Sequence, residues 1–209
     1  MESQTSEAML TKSALLQRPA HEVVVMLREG TITPLRLIEA VEEAVSRTNP
    51  RILATIIPCF DRARRAAAAF RIPESPPPGF LFGLPVLIKD DLPVEGVLWT
   101  SGSPLFANRV ASGSHAMVRQ LEESGAIVVG KTNTPELMAG SQSFNPVWGT
   151  TLNPFDTSRT AGGSSGGSAA ALAAGQCWLA TGSDLGGSLR NPAGKFAKTS
   201  SRKLRTSLC

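Results

Sequence analysis

The sequence predicts an α/β protein with parallel strand pairing. Three observations carry that prediction. Short apolar runs alternate with stretches of helical character along the chain, the pattern of strand–helix units rather than of an all-β or all-α domain. The runs at 84–88, 126–129 and 177–181 are short and uninterrupted, as strands buried on both faces require. Hydrophobic residues make up 42% of the 209 positions, enough for a packed core.

Taken in order, residues 1–18 read as weakly ordered. Residues 19–29 form a helix ended by Gly30. Thr33 then caps a second helix with Pro34 at its first position. Leu35, Ile38, Val41 and Val45 give it one apolar face. Residues 52–57 read as a buried strand and 61–71 as an Ala- and Arg-rich helix. Residues 73–79, with Pro76, Pro77 and Pro78, make a stiff surface connection. The strand at 84–88 leads straight into Lys89, Asp90 and Asp91. A helix over 114–124 and a strand over 126–129 follow, then a capped helix start at Thr134, Pro135 and Glu136. His115 reads as structural. Residues 144–156, with Asn145-Pro146 and Asn153-Pro154, form a long irregular loop, a length uncommon without a function.

That loop runs into Gly162-Gly163-Ser164-Ser165-Gly166-Gly167-Ser168. A helix-forming alanine run, a short strand through Cys177 and Trp178, and a second turn follow. The second turn reads Gly182-Ser183-Asp184-Leu185-Gly186-Gly187-Ser188-Leu189-Arg190. Gly/Ser-rich runs are commonly linkers. Here, however, one Gly-Gly-Ser turn opens directly into a helix and another recurs after the strand. A phosphate loop needs a lysine after the second glycine, and Ser168 stands there instead. Gly162 to Gly166 fits Gly-x-Ser-x-Gly. A nucleophile elbow also needs a histidine base, normally later in the chain, and His21 and His115 both precede it. The two loops together can present Ser164 and Ser188 to one pocket.

The stretch 162–190 resembles the amidase signature family of serine hydrolases. Gly83-Leu84-Pro85-Val86-Leu87-Ile88-Lys89-Asp90 is similar to the family's catalytic-lysine strand. The segment from Gly125 to Asn133 with Glu136 is similar to its strand–turn–helix unit. The resemblance runs from about residue 22 to 193. It implies an amidase-signature-like fold, a mixed sheet flanked by helices. It implies an amidase-type hydrolase that cleaves a carboxamide C–N bond through a serine acyl-enzyme. Carried over, Ser188 is the nucleophile, Ser164 the bridging serine with a cis peptide bond at Ser164–Ser165, and Lys89 the base. The backbone N–H groups of Leu185, Gly186, Gly187 and Ser188 form the oxyanion hole. Asp184 and Arg190 brace the loop. Burial of Lys89 lowers its pKa, whereas Asp90 and Asp91 act the other way if they turn toward it. No metal or organic cofactor is implied.

The resemblance also divides the chain: a weakly ordered segment over 1–18, part of a single amidase-signature domain over 19–193, and a basic, atypical end over 194–209. The family continues beyond this point, so a C-terminal part reads as missing. A truncated, inactive relative is therefore the competing expectation, and an amidotransferase-subunit-like protein another. The substrate class is a small-molecule or lipid-like amide, with self-association left open. The net charge of +4 rests on Lys195, Lys198, Arg202, Lys203 and Arg205; without them the rest carries −1, which argues against a nucleic-acid surface. Cys59, Cys177 and Cys209 are too few and too scattered for a disulfide framework or a zinc pattern, and fit a reducing compartment, read as the cytoplasm. No stretch reads as a transmembrane segment.

Overall fold

A computed structural model describes residues 11–197. Helix α1 (Lys12–Leu16) is capped by the Thr11 hydroxyl, so part of the stretch expected to be weakly ordered is helical; residues 1–10 lie outside the described range. Helix α2 (Ala20–Arg28) ends where Gly30 takes φ +70°. Helix α3 (Pro34–Ile52) begins as expected, with Thr33 Oγ1 accepting from the Arg36 amide. It then runs through Pro50, past the expected start of a strand at Ile52. Asn49 fixes the turn that follows the helix: its Oδ1 accepts from the amides of Ala54 and Thr55, and its Nδ2 donates to the Thr55 carbonyl. On α3 the buried face includes Leu37, Ile38, Val41 and Val45, whereas Leu35 is exposed.

Strand β1 (Thr55–Pro58) leads to α4 (Phe60–Ala69), and β2 (Pro85–Lys89) follows the proline-rich connection. Helix α5 (Ala116–Glu123) takes its cap from His115, whose Nδ1 accepts from the Met117 amide, a structural role as expected. Strand β3 (Ile127–Thr132) lies at the sheet's centre. The helix expected from Thr134 shrinks to a single 3₁₀ turn, Glu136–Met138, because Leu137 and Met138 both adopt positive φ and stop propagation. The expected loop over 144–156 resolves into two small antiparallel ladders. One pairs β4 (Phe144–Asn145) with β5 (Gly149–Thr150); the other pairs β6 (Leu152–Asn153) with β7 (Asp156–Thr160). Asn145 organises the first: it donates to Asn133 Oδ1 and the Thr134 carbonyl and accepts from the amides of Val147 and Trp148. Helix α6 (Gly166–Ala173), strand β8 (Leu179–Ala180) and helix α7 (Arg190–Ala197) complete the order, so α7 crosses the expected boundary at 193.

The main sheet has the order β1-β3-β2-β8, with β3 and β8 parallel to β2 and β1 antiparallel to β3. It is therefore mixed. Successive strand residues face opposite layers. Leu87, Ile127, Val129 and Ala180 join the core formed with α1 to α4, α6 and Phe196 of α7. Val86, Ile88 and Val128 join a second core under Val94, Val97 and Val118 of α5.

Candidate active site

Lys89 ends β2 with no exposed surface. Strand alternation puts it on the side of Leu87, toward α6 and the glycine-rich loop. Its backbone amide is held by Thr181 Oγ1 at 2.8 Å, just beyond β8. Its Nζ donates to Ser164 Oγ at 2.7 Å and to Ser183 Oγ at 2.8 Å. Asp91 Oδ2 lies 3.6 Å from the same Nζ and accepts from the Ser183 hydroxyl at 2.8 Å. A buried amine, two hydroxyls and a carboxylate thus share one small cluster. Burial pulls the Lys89 pKa below the ordinary 10.5, and Asp91 and then Asp184 oppose that pull.

The two aspartates after Lys89 diverge. Asp90 turns away from Lys89: its carboxylate takes an ion pair from buried Lys131 and hydrogen bonds from the Thr100 amide and hydroxyl. Asp91 turns toward Lys89. Neither direction is readable from three consecutive polar residues at a strand end, and the burial of Lys131 likewise carries no sequence signal beyond its place in an apolar run.

Ser164 is buried and sits just before α6. Ser143 Oγ clamps this corner, donating to the Ser164 carbonyl at 3.1 Å and accepting from the Gly166 amide at 2.9 Å. Ser168 donates to the Thr181 carbonyl and shares a hydrogen bond with Thr132, which ties α6 to β3 and to the end of β8. The non-proline cis peptide bond joins Gly163 to Ser164, one bond earlier than expected at Ser164–Ser165. Gly163 packs so tightly against the Gln142–Ser143 backbone that a Cβ would approach Gln142 to 2.9 Å.

Ser188 is placed beside this corner by the backbone, its carbonyl accepting from the Ser165 amide at 3.0 Å. Its hydroxyl makes no hydrogen bond among the described residues, so the expected Ser164–Ser188 link is not formed; Ser183 is the second hydroxyl on Lys89. Sequence reasoning missed Ser183, whose only signal was its position before Asp184 in the second glycine turn. Asp184 and Arg190 brace the loop as expected. Asp184 takes two hydrogen bonds from the Arg190 side chain at 3.0 Å and others from the amides of Gly187, Leu189 and Arg190. These bonds, that to Arg190 foremost, hold the Asp184 carboxyl well below its usual range. They also occupy the Gly187 amide, one of the expected oxyanion donors. Leu185 is fully exposed. Cys177 is packed beside the Pro85 carbonyl, and burial pushes its thiol up to about 12, so it is inert filling.

The class so defined is an α/β protein whose mixed sheet sets a buried lysine against serines of two glycine-rich loops. Within that class the chain belongs to the Amidase family, whose sequence profile matches residues 36–195. It is 39% identical over 183 residues to a glutamyl-tRNA(Gln) amidotransferase subunit of Maridesulfovibrio salexigens, covering 87% of this chain and 37% of that protein. It is 38% identical over 184 residues to indoleacetamide hydrolase of Bradyrhizobium diazoefficiens, covering 87% of this chain and 35% of the relative. Among solved structures, 6-aminohexanoate cyclic dimer hydrolase superposes with a TM-score of 0.77 at 35% identity over 85% of this chain and 36% of that one. The chain therefore spans a little over a third of the length of these relatives. Among the described residues no helix is long and apolar enough to cross a membrane.

Proposed function

We propose that this chain carries the lysine–serine half of an amide-hydrolysing site, with Lys89 as base, Ser164 as bridge and Ser188 as nucleophile. The single observation that supports the reading most is the 2.7 Å hydrogen bond from a fully buried Lys89 Nζ to Ser164 Oγ. A serine hydroxyl is a weak nucleophile until a base takes its proton. In the proposed reaction, neutral Lys89 accepts the Ser164 proton as Ser164 accepts that of Ser188. The Ser188 Oγ then bonds to the carboxamide carbon. The proton returns through Ser164 to the leaving nitrogen as the C–N bond breaks. Water attacks the resulting acyl-enzyme by the same relay and releases the acid. The relay needs the Ser188 hydroxyl turned toward Ser164, a movement confined to the loop between β8 and α7. The amides of Leu185, Gly186 and Ser188 are the candidate oxyanion donors, with Gly187 joining them only if it releases Asp184.

A fluorophosphonate probe tests the assignment. Labelling is expected at Ser188 and is expected to vanish in Ser188→Ala; labelling that persists there moves the nucleophile to another serine. A second reading, the amide-releasing step of a transamidation complex, is favoured by the 39% identity over 87% of the chain to an amidotransferase component. Turnover of glutamine but not of small aryl or alkyl amides would select it.

A further inference from the structure

We propose that Asp91, acting directly and through the Ser183 hydroxyl, is the counter-ion that holds the Lys89 ammonium in place and sets the pH above which Lys89 can act as a base. Asp91 is here a positioning residue, and the inference rests on the reading of Lys89 as the base. Three observations carry it. The Asp91 carboxylate is 3.6 Å from Lys89 Nζ and accepts from Ser183, which itself accepts from that Nζ, so the three groups close a ring. The second Asp91 oxygen, Oδ1, is enclosed and has no hydrogen-bond partner among the described residues. The neighbouring carboxylates are spent: Asp90 on Lys131 and Thr100, Asp184 on Arg190 and the amides of its loop.

The charged groups around Lys89 are therefore Asp91 at its own strand end, Asp184 from the loop after β8, and the Asp90–Lys131 pair across β2 and β3, whose charges cancel. Thr181, Ser164 and Ser183 are neutral. An ammonium taken out of water persists only beside a compensating charge. Removing that charge frees the amine at lower pH; Asp91 thus trades base strength against the availability of the neutral form. The Ser183 bridge keeps the ammonium fixed with one N–H directed at Ser164.

The test is the titration of the Lys89 side chain in ¹³Cε-lysine-labelled protein, its resonance assigned by its loss in Lys89→Met. In Asp91→Asn the midpoint is expected to fall by about 1–3 pH units. Ser183→Ala keeps the carboxylate but cuts the bridge, and is expected to shift the midpoint less; Asp91→Glu is expected to restore it. An unchanged or raised midpoint in Asp91→Asn overturns the proposal. The NMR readout is independent of turnover. A lowered midpoint in a chain that hydrolyses no amide removes the hydrolase reading and leaves the counter-ion. Turnover whose pH profile and titration both ignore Asp91→Asn removes the counter-ion and leaves the hydrolase.

Discussion

Lys89 carries a conflict that fold and chemistry resolve differently. The fold is disadvantaged by a buried amine, whereas a base that must be neutral gains from the same burial. Lys89→Met keeps the aliphatic stem and removes the amine. Amide turnover is expected to fall by about 10²–10⁴-fold, while the fold is retained at a lower melting temperature, since Asp91 loses the cation it faces; a normal rate in this variant would sink the relay. The pH dependence has a definite sign. The folded Lys89 pKa lies below 10.5, so between the folded value and 10.5 the unfolded chain binds a proton that the native chain does not. Stability from this group therefore rises with pH across that window and is lowest below it. Turnover by the proposed relay is expected to rise with pH through the folded value, since only the neutral amine accepts a proton. Paired measurements of rate and melting temperature against pH, made on the unmodified chain and on Lys89→Met, check both statements.

Helix α6 shows why the glycines of its first turn are not a linker. Gly166 and Gly167 lie at the buried start of the helix, where a Cβ on Gly167 would overlap the Asn133 backbone and one on Gly166 would press on Ser143. The helix must start this close for Ser168 to reach Thr132 and Thr181 and for Ser164 to reach Lys89. Gly167→Ala is expected to cost at least about 1–3 kcal/mol, because the obstruction is main chain rather than a side chain that can rotate. Gly186, in the second glycine turn, meets nothing within 4 Å, and Gly186→Ala is expected to leave the melting temperature unchanged. Thermal denaturation of the two variants side by side separates them; equal losses would mean that the glycine-rich turns are interchangeable spacers after all.

In the molecule as a whole, the sheet is unequal from edge to edge. Strand β3 pairs on both sides, whereas β8 contributes only Leu179 and Ala180, both against β2. An apolar groove lined by Val86, Met117, Leu121 and Leu179 runs beside that edge. Few ladder bonds at a sheet edge mean low local opening free energy. Native-state hydrogen exchange is expected to show the amides of β3 most protected and those of Leu179 to Thr181 opening earliest in the sheet. Because β8 carries the loop with Ser183 and Ser188, that opening also sets how freely the loop reorients. Uniform protection across all strands would contradict this gradient.

The strands at β2 and β3, the Thr33-capped helix and the α6–β8 unit were legible in the sequence because each depends on local pattern: apolar runs, a cap with proline after it, alanines stopped by glycine. The meeting of Lys89 with Ser164 was legible through motifs in a fixed order. That Ser183 is the second hydroxyl on the lysine was not. The partners of Lys89 lie 75 and 94 residues away, and Ser183 and Ser188 occupy the same glycine turn, so their spacing cannot rank them. The directions of Asp90 and Asp91 were equally hidden, since adjacent residues at a strand end diverge and only the packed neighbours, Lys131 on one side and Ser183 on the other, show where each charge is compensated. The end of α3 was hidden too, because the turn after it is held by a side chain, Asn49, bonded to the backbone of Ala54 and Thr55. Periodicity is a property of the chain, whereas the compensation of buried charge and unpaired backbone depends on contacts that exist only once distant segments are packed together.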